Sequence, residues 1–430
     1  MTVGAGVLAA CAPAVAPSGQ TTTGDAAPAA AATELTLWCF ASNRAQWYTS
    51  LIPAFQESYG SNVTIKVEEL PNEEMHNKIQ TALVAGTGAP DMGDINIDLF
   101  GRFVKGDKVG FIPVNDLLGD DIQNLYERSA LLPWSWQGQY YGIGNELNAC
   151  LMYYRWDELE AAGITAPINT WEDYVAAGKQ YVEATGKKWA AVPDLWWNYW
   201  YMFAAYDGGV FDTEGNVIFD NEAGKTVMQM LRDWVYTDEI AMLAPGGMIW
   251  AQPYYGAMAA GNFVTCFGAP WYQGFMKQNA PDLEGKWRMQ PFPLWSSGAG
   301  AQTATHGGTG TCITEQTKDA DAAWAFIKFC NLNNESVLQG FEMMNLFPTW
   351  KPAWEDERMR FEDPYFDNQK PAEFITAVAP EMPPLNNSPY WPEVTDAFNR
   401  LVVTPVMQDK QSVDDAMAAA RAEADRIMQG

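Results

Sequence analysis

The chain has 430 residues, of which 48% are hydrophobic and 13% aromatic. This length and apolar content are sufficient for two domains, each with its own core. The 26 basic and 53 acidic residues give a net charge of −27, which repels phosphate backbones and anionic headgroups and argues against nucleic-acid binding. No apolar run approaches the roughly 18 to 20 residues that span a bilayer.

The N-terminal residues combine a cysteine with a segment of low complexity. Leu8-Ala9-Ala10-Cys11 has the pattern of a bacterial lipobox, and residues 12–33 are almost wholly Ala, Pro, Ser, Thr and Gly. This pattern predicts a lipobox and a disordered tether over residues 1–33, with Cys11 lipidated, so that the protein is held outside the cytoplasm by a lipid anchor alone. The expected location is the periplasm or the outer face of a bacterial membrane.

One feature of this region departs from an export signal. Only ten residues precede Cys11 and none is Lys or Arg, whereas a signal peptide begins with a basic region and a longer apolar stretch. Either translation starts upstream of residue 1 or the lipobox is accidental. The alternative interpretation is an Ala-rich disordered end with a chance cysteine.

Five elements are predicted in order after the tether. Residues 34–40 alternate as a strand, 45–59 have helical apolar spacing up to Gly60, and 62–70 form a second strand. A helix follows from Asn72 to the Gly-Thr-Gly sequence at 86–88, and 92–97 form a third strand. Strand and helix alternating at this spacing predict right-handed crossovers and a parallel sheet.

Three later segments also have a clear local pattern. Thr170 precedes Trp-Glu-Asp and predicts an N-cap that begins an amphipathic helix. Residues 211–220 contain a Gly-Asn turn between apolar flanks and predict a hairpin. Residues 412–428 carry one apolar face and predict a helix docked on the surface.

The cysteine and histidine content excludes several kinds of site. No cysteine lies in a C-x-x-C pattern, and the chain has two histidines, His76 and His306. We therefore expect no zinc site, no redox dithiol, no catalytic triad and no cofactor. Buried free thiols are the expected state, although Cys312 and Cys330 could pair in an oxidising compartment. The cysteines beyond the lipobox are Cys39, Cys150, Cys266, Cys312 and Cys330.

Several short segments, taken in their order and spacing, resemble a known family. The chain is similar to the extracellular solute-binding proteins of ABC importers, in particular the sugar-binding family related to maltose-binding protein. The segments that carry this resemblance are L-T-L-W at 35–38, A-G-T-G-A-P-D-M at 85–92, P-V-N-D-L-L at 113–118, Y-Y-G-I-G-N-E-L-N at 140–148, N-T-W-E-D-Y at 169–174, H-G-G-T-G-T-C-I at 306–313 and F-P-T-W-K-P-A-W at 347–354.

The resemblance implies an α/β architecture and a transport function. The implied fold is the two-lobed periplasmic-binding-protein fold of type II, in which each lobe is a mainly parallel sheet flanked by helices and the ligand cleft lies at a hinge. One lobe comprises 34–145 plus 301–347, and the other comprises 146–300 plus 348–430. The implied protein is a monomer that captures a mono- or oligosaccharide by lobe closure and delivers it to a membrane permease, without chemical change.

Candidate ligand-binding residues follow from the sheet edge and from the chemistry of sugars. Ligands lie beyond the carboxyl ends of parallel strands, so the loops after the first and third strands provide candidates. Sugar hydroxyls need polar planar partners, and the C–H faces of the rings need aromatic plates. Trp271 is expected in a loop, and the resemblance also makes Trp271 and His306 ligand-facing. The candidates are Asn43, Arg44, Asn96, Asp98, Glu146, Asn148, Trp197, Trp271, His306 and Trp350.

Structural and functional alternatives remain open at this stage. Trp196 and Trp200 are four residues apart and fit a core stripe, with Trp197 on the neighbouring face. An extracytoplasmic glycoside hydrolase with a carboxylate pair is one functional alternative. A binding protein for a cationic or amino-acid-like ligand is another, because aromatic boxes also hold cations. The absence of H-E-x-x-H, G-x-S-x-G and phosphate-binding glycine loops favours binding over catalysis.

Overall fold

A computed structural model of the protein describes Met1 and residues 33–106, 108–206 and 208–429. Cys11 and the tether predicted from the sequence lie outside these described residues. The described chain forms two five-stranded sheets flanked by helices, with a separate two-stranded hairpin. Among the described helices, none is long and apolar enough to cross a membrane.

The first sheet begins with the five elements that the sequence predicted. Apolar side chains of the first strand, such as Leu35 and Leu37, are fully buried. The second and third strands both pair with the first in parallel, which confirms the parallel β-α-β arrangement. The bounds are β1 Thr33–Cys39, α1 Ser42–Tyr59, β2 Val63–Glu69, α2 Asn72–Ala85 and β3 Met92–Asn96.

Two strands from later in the chain complete this sheet. β6 spans Gly142–Gly144 and β12 spans Thr309–Ile313, and the strand order is β2-β1-β3-β12-β6. β12 is antiparallel to both of its neighbours. The sheet is therefore mainly parallel, as expected, because β1, β2, β3 and β6 run in one direction and β12 alone runs against them. The physical reason is that β12 enters the sheet at the edge where β3 ends, since the chain returns there from the second sheet.

The second sheet has the order β11-β7-β10-β8-β9. β8 is parallel to β9 and β10, whereas β7 is antiparallel to β10 and β11. β7 plays the same part here as β12 in the first sheet, because it is the strand that enters from the other sheet. The bounds are β7 Leu151–Arg155, β8 Ala190–Val192, β9 Ala241–Leu243, β10 Thr265–Gly268 and β11 Trp287–Gln290.

Three local predictions are confirmed by the hydrogen bonds. The hydroxyl of Thr170 accepts the N–H of Asp173 at 3.0 Å and caps α6. Residues 210–218 form a small hairpin around the Gly-Asn turn, and α16 is a docked helix that begins after Ser412. The remaining helices are α3 Asn115–Leu118, α4 Glu127–Ala130, α5 Trp156–Ala161, α6 Trp171–Thr185, α7 Trp197–Ala205, α8 Glu222–Tyr236, α9 Gln252–Ala259, α10 Pro270–Asn279, α11 Ala320–Asn331, α12 Asn334–Met344, α13 Pro371–Val378, α14 Trp391–Phe398, α15 Thr404–Met407 and α16 Val413–Met428, and the separate hairpin is β4 Ser135–Trp136 with β5 Gln139–Tyr140.

Adjacent segments of chain connect the two sheets. Cys150 donates its N–H to the carbonyl of Ala304 at 2.9 Å, and His306 donates to Asn148 at 2.9 Å. Leu147 donates to the carbonyl of Phe347 at 2.7 Å. The strands of the first sheet come from residues 33–144 and 309–313, and those of the second from 151–290. The full lobe boundaries given above remain a prediction.

The five cysteines of the described chain are all buried free thiols. Cys312 lies on β12 and Cys330 on α11, and they are not bonded to each other. Burial raises the pKa of each of these two thiols well above its usual value. The thiols therefore act as small apolar core groups, as the sequence indicated.

Candidate functional site

A cavity of about 420 Å³ lies where the two sheets face each other. Its volume falls within the range of small-molecule sites in proteins. The first sheet contributes residues that follow β1, β2 and β3, and the second sheet contributes the first turns of α7 and α10. The residues that line it are Phe40, Ala41, Asn43, Arg44, Asn72, Glu73, Asn96, Asp98, Leu99, Glu146, Trp197, Trp250, Trp271, Phe275, His306, Gly307, Gly308, Thr309 and Leu346.

Eight of the ten candidate residues line this cavity, and two do not. Asn148 is buried in the connecting segment, where its carbonyl accepts from His306. Trp350 packs into the core and donates its indole N–H to Asn334 at 2.8 Å. The backbone of Trp350 pairs with that of Leu125, and the residue is buried in the core.

A hydrogen bond joins the two sheets across the cavity. The indole of Trp197, on α7, donates to Oδ2 of Asp98 at 3.2 Å. Asp98 follows β3, whereas α7 follows β8 of the other sheet. The second carboxylate oxygen, Oδ1, is buried and has no partner among the described residues. Burial raises the pKa of Asp98 to about 7, because a desolvated carboxylate favours its neutral form.

Trp196 and Trp200 are core residues, and Trp197 differs from both. Trp196 and Trp200 are 7% and 4% exposed, and both contact Trp391 of α14 edge-on. Trp197 packs on Trp196 with the ring centroids 5.1 Å apart and also lines the cavity. Trp196 and Trp200 are therefore packed in the core, whereas the ring of Trp197 lies at the cavity.

Trp271 lies in the first turn of α10 rather than in a loop. Pro270 is the first residue of that helix, a position that suits proline because its fixed φ is helical and its missing N–H would have no helical partner. The indole of Trp271 donates to the carbonyl of His306 at 2.8 Å. The ring is thereby held against the connecting segment, and it still lines the cavity.

His306 is enclosed by aromatic rings. Its ring centroid lies 4.6 Å from that of Tyr201, 5.3 Å from Trp271 and 6.2 Å from Trp197. Burial lowers its pKa to about 3, so the imidazole is neutral at physiological pH. Its Nε2 is buried without a partner among the described residues. His306 therefore adds no charge to the cavity wall.

Arg44 forms the floor of the cavity and is engaged in a buried network. Its Nε donates to Asp94 at 2.9 Å, its Nη1 to Asn145 at 2.9 Å and its Nη2 to Tyr48 at 3.2 Å. Nη1 also lies 3.9 Å from a carboxylate oxygen of Glu146. Arg44 is 4% exposed and Asp94 is fully buried. The guanidinium thus links Asp94, Asn145 and Tyr48 beneath the cavity.

Glu146 brings a second buried carboxylate to the cavity wall. Burial raises its pKa, and the nearby Arg44 opposes this effect. Asn43, the second residue of α1, and Asn96, the last residue of β3, contribute amide groups to the lining. The Asn43 side chain accepts from the N–H of Arg44 at 2.9 Å.

Several lining residues are not among the ten candidates predicted from the sequence. Asn72 and Glu73 begin α2 after the carboxyl end of β2, so the sheet-edge rule applied to all three strands would have found them. Phe275 is four residues after Trp271 on α10, and helical spacing identifies it once α10 is known. Trp250 lies in an irregular segment before α9 and has no signal of this kind. Trp250 and Phe275 are 39% and 40% exposed.

Comparisons with known proteins agree with this architecture. Residues 50–359 match a family described as bacterial extracellular solute-binding protein. The chain is 31% identical over 404 residues to the arabinooligosaccharide-binding protein of Halalkalibacterium halodurans, covering 93% of this chain and 90% of that protein. It is 27% identical over 386 residues to the protein of the same name from Bacillus subtilis, covering 88% of each.

A solved structure shows the same fold. The GacH receptor of Streptomyces glaucescens superposes with a TM-score of 0.76 at 19% identity, covering 93% of this chain and 99% of that one. This similarity confirms the α/β fold that the sequence resemblance implied.

Replacing Asp98 tests the burial of its carboxylate. Since its pKa is raised in the folded state, the stability linked to its neutral form is present below pH 4 and is lost as the pH rises towards 7. Asp98→Asn keeps an acceptor for Trp197 and cannot ionise. We expect its Tm to exceed that of the wild type by a few degrees at pH 8, with the difference shrinking towards pH 4.

Differential scanning calorimetry at several pH values measures this difference. Glu183→Gln is the matched control, because Glu183 is an exposed carboxylate on α6 outside the cavity. A Tm difference for Asp98→Asn that does not grow with pH would contradict the desolvated state of Asp98.

Proposed function

Because this chain belongs to the bacterial extracellular solute-binding proteins, we propose that it captures a saccharide in the cavity between its two sheets. The family binds solutes rather than converting them, so the chain is a binding protein and not a hydrolase. Rotation of the two sheets about the connecting segments would open and close the cavity. The closed form would deliver its ligand to the permease of an ABC importer.

The observation that carries this proposal is the pairing of aromatic faces with free hydrogen-bonding atoms. Trp197 and Trp271 supply rings from the second sheet. Buried acceptors without a partner among the described residues include Oδ1 of Asp98 and Oδ1 of Asn72. A buried polar atom without a partner is costly, and sugar hydroxyls would satisfy such atoms while the C–H faces of the sugar stack on the rings.

The names of the relatives favour an oligosaccharide as the first ligand to test. Both curated relatives described above are arabinooligosaccharide-binding proteins. The lining also extends outward to the exposed rings of Trp250 and Phe275, which provide apolar surface for sugar units beyond the innermost one. We therefore propose an arabinooligosaccharide or a similar short chain.

A cationic ligand is the second candidate. The cavity carries carboxylates together with tryptophan rings, and such a combination also holds ammonium groups. Spermidine therefore belongs in the same ligand screen as the saccharides.

The attachment of the protein to the membrane is a separate proposal. We propose that Cys11 is lipidated and that residues 12–33 act as a tether, which would let a monomeric receptor reach its permease from the outer side of the membrane. Support for this comes from the lipobox pattern and from the extracellular family.

A ligand screen tests the binding function. We expect arabinotriose to raise the Tm of the purified protein, since a ligand that binds only the native state stabilises it by mass action. Trp271→Ala should weaken binding by about 1 to 3 kcal/mol, measured by isothermal titration calorimetry, because the stacking face is lost. Tyr59→Ala is the control, as Tyr59 is an exposed aromatic residue outside the cavity.

The screen should also contain maltotriose, lactose and spermidine. Stabilisation by spermidine alone would favour the second candidate. Unchanged saccharide affinity in a folded Trp271→Ala variant would contradict stacking on this ring.

The lipid anchor is tested in the native host with the complete gene. We expect the wild-type protein in the membrane fraction and the Cys11→Ser variant in the soluble extracytoplasmic fraction, because the variant lacks the thiol that would carry the lipid. Immunoblots of the fractions, with labelled fatty acid incorporation, make the comparison. Membrane retention of the Cys11→Ser variant would exclude this anchor.

A further inference from the structure

The charges around the cavity are unbalanced towards the negative. Glu73, Asp98 and Glu146 line it, and Arg44 is the only cation among the described lining residues. Behind the lining, Asp94 pairs with Arg44 at 2.9 Å, and Arg102 pairs with Glu73 at 3.2 Å. Two guanidinium groups thus stand against four carboxylates, which is a net charge of −2 when all are ionised.

Arg44 has little capacity to bind an anion. Three of its nitrogens already donate to Asp94, Asn145 and Tyr48 at 2.9 to 3.2 Å. Its remaining contact is with the carboxylate of Glu146. The guanidinium is 4% exposed, so reaching a ligand would require breaking the floor network. An anionic ligand would therefore find no free positive partner on this wall.

The buried oxygens without a partner also favour an uncharged ligand over an anionic one. Oδ1 of Asp98 and Oδ1 of Asn72 are oxygens that need a donor. A hydroxyl can donate to both, whereas a ligand carboxylate is an acceptor when ionised and would face these oxygens with like charge or like lone pairs. Arg44 and Glu146 are buried, and an unpaired ligand charge beside them is costly.

From these contacts we infer that the cavity selects uncharged saccharides and rejects those in which a carboxylate replaces a primary hydroxyl. The inference rests on the proposed function and specifies its substrate class. Asp98 is the residue through which the selection acts most directly, because it lines the cavity and its buried Oδ1 has no partner among the described residues. Arg44 contributes because its guanidinium is already hydrogen-bonded and cannot pair with a carboxylate of the ligand.

The test compares one parent saccharide with two of its derivatives by isothermal titration calorimetry at pH 8. The parent is whichever of arabinotriose, maltotriose and lactose binds most tightly. The first derivative has a terminal primary hydroxyl oxidised to a carboxylate, and the second is the amide of that acid. The acid and the amide have nearly the same shape, so the ratio of their affinities measures the effect of the negative charge on binding.

We expect the acid to bind at least about tenfold more weakly than the amide, which corresponds to about 1.4 kcal/mol. In Asp98→Asn the acid-to-amide ratio should narrow, because one negative charge is removed from the cavity. Glu183→Gln removes one exposed charge outside the cavity and should leave the ratio unchanged. Circular dichroism confirms that both variants are folded.

Two results would overturn the inference while leaving the proposed function in place. If the acid and the amide both bind as tightly as the parent, the charge of the ligand does not affect its affinity. If the amide binds as weakly as the acid while the parent binds tightly, the cavity discriminates by the shape of the substituent and not by its charge. If none of the three parent saccharides binds, the proposed function itself fails, and this inference fails with it.

Discussion

The buried ion pair between Arg44 and Asp94 is the interaction on which the binding region depends. Asp94 on β3 accepts from Arg44 and Tyr48 of α1 and from Thr311 of β12, each at 2.9 Å. Removing either member would leave an uncompensated buried charge, which is strongly destabilising. The pair therefore fixes the positions of α1, β3 and β12 relative to one another, and it forms the floor beneath the cavity. The same contacts occupy the guanidinium and leave it unable to neutralise a ligand.

The two sheets meet at the cavity because of how the chain passes between them. β1 and β3 end at the edge from which β12 begins, and the second sheet presents the starts of α7 and α10 to the same space. Residues that are distant in sequence thus come within contact, as Asp98 and Trp197 do through a 3.2 Å hydrogen bond. This bond lies across the interface that a hinge motion would open. A ligand that contacts side chains of both sheets would favour the relative position of the sheets in which it makes those contacts.

Much of this arrangement follows from local sequence patterns, and the remainder depends on long-range contacts. The first five elements and the Thr170 cap are encoded by apolar spacing and capping residues, so the sequence predicts them. The sheet-edge rule correctly brings Asn96 and Asp98 to the cavity, because strand ends are determined locally. The antiparallel direction of β12 and the inward position of Trp350 depend on where the chain returns after the second sheet, and a single sequence does not specify this. The sequence prediction that Trp271 lies in a loop is wrong, because Pro270 begins a helix here and proline can begin a helix as readily as end one.

We propose that a saccharide binds between Trp197 and Trp271, with its hydroxyls hydrogen-bonded to the carboxylates of the cavity. The most direct measurement is a crystal structure of the unlipidated protein with arabinotriose. The account predicts sugar rings stacked on both indoles and hydroxyl groups within about 3.2 Å of carboxylate oxygens of Asp98 and Glu146. A trisaccharide bound at another surface, with these four side chains free of contact, would contradict it.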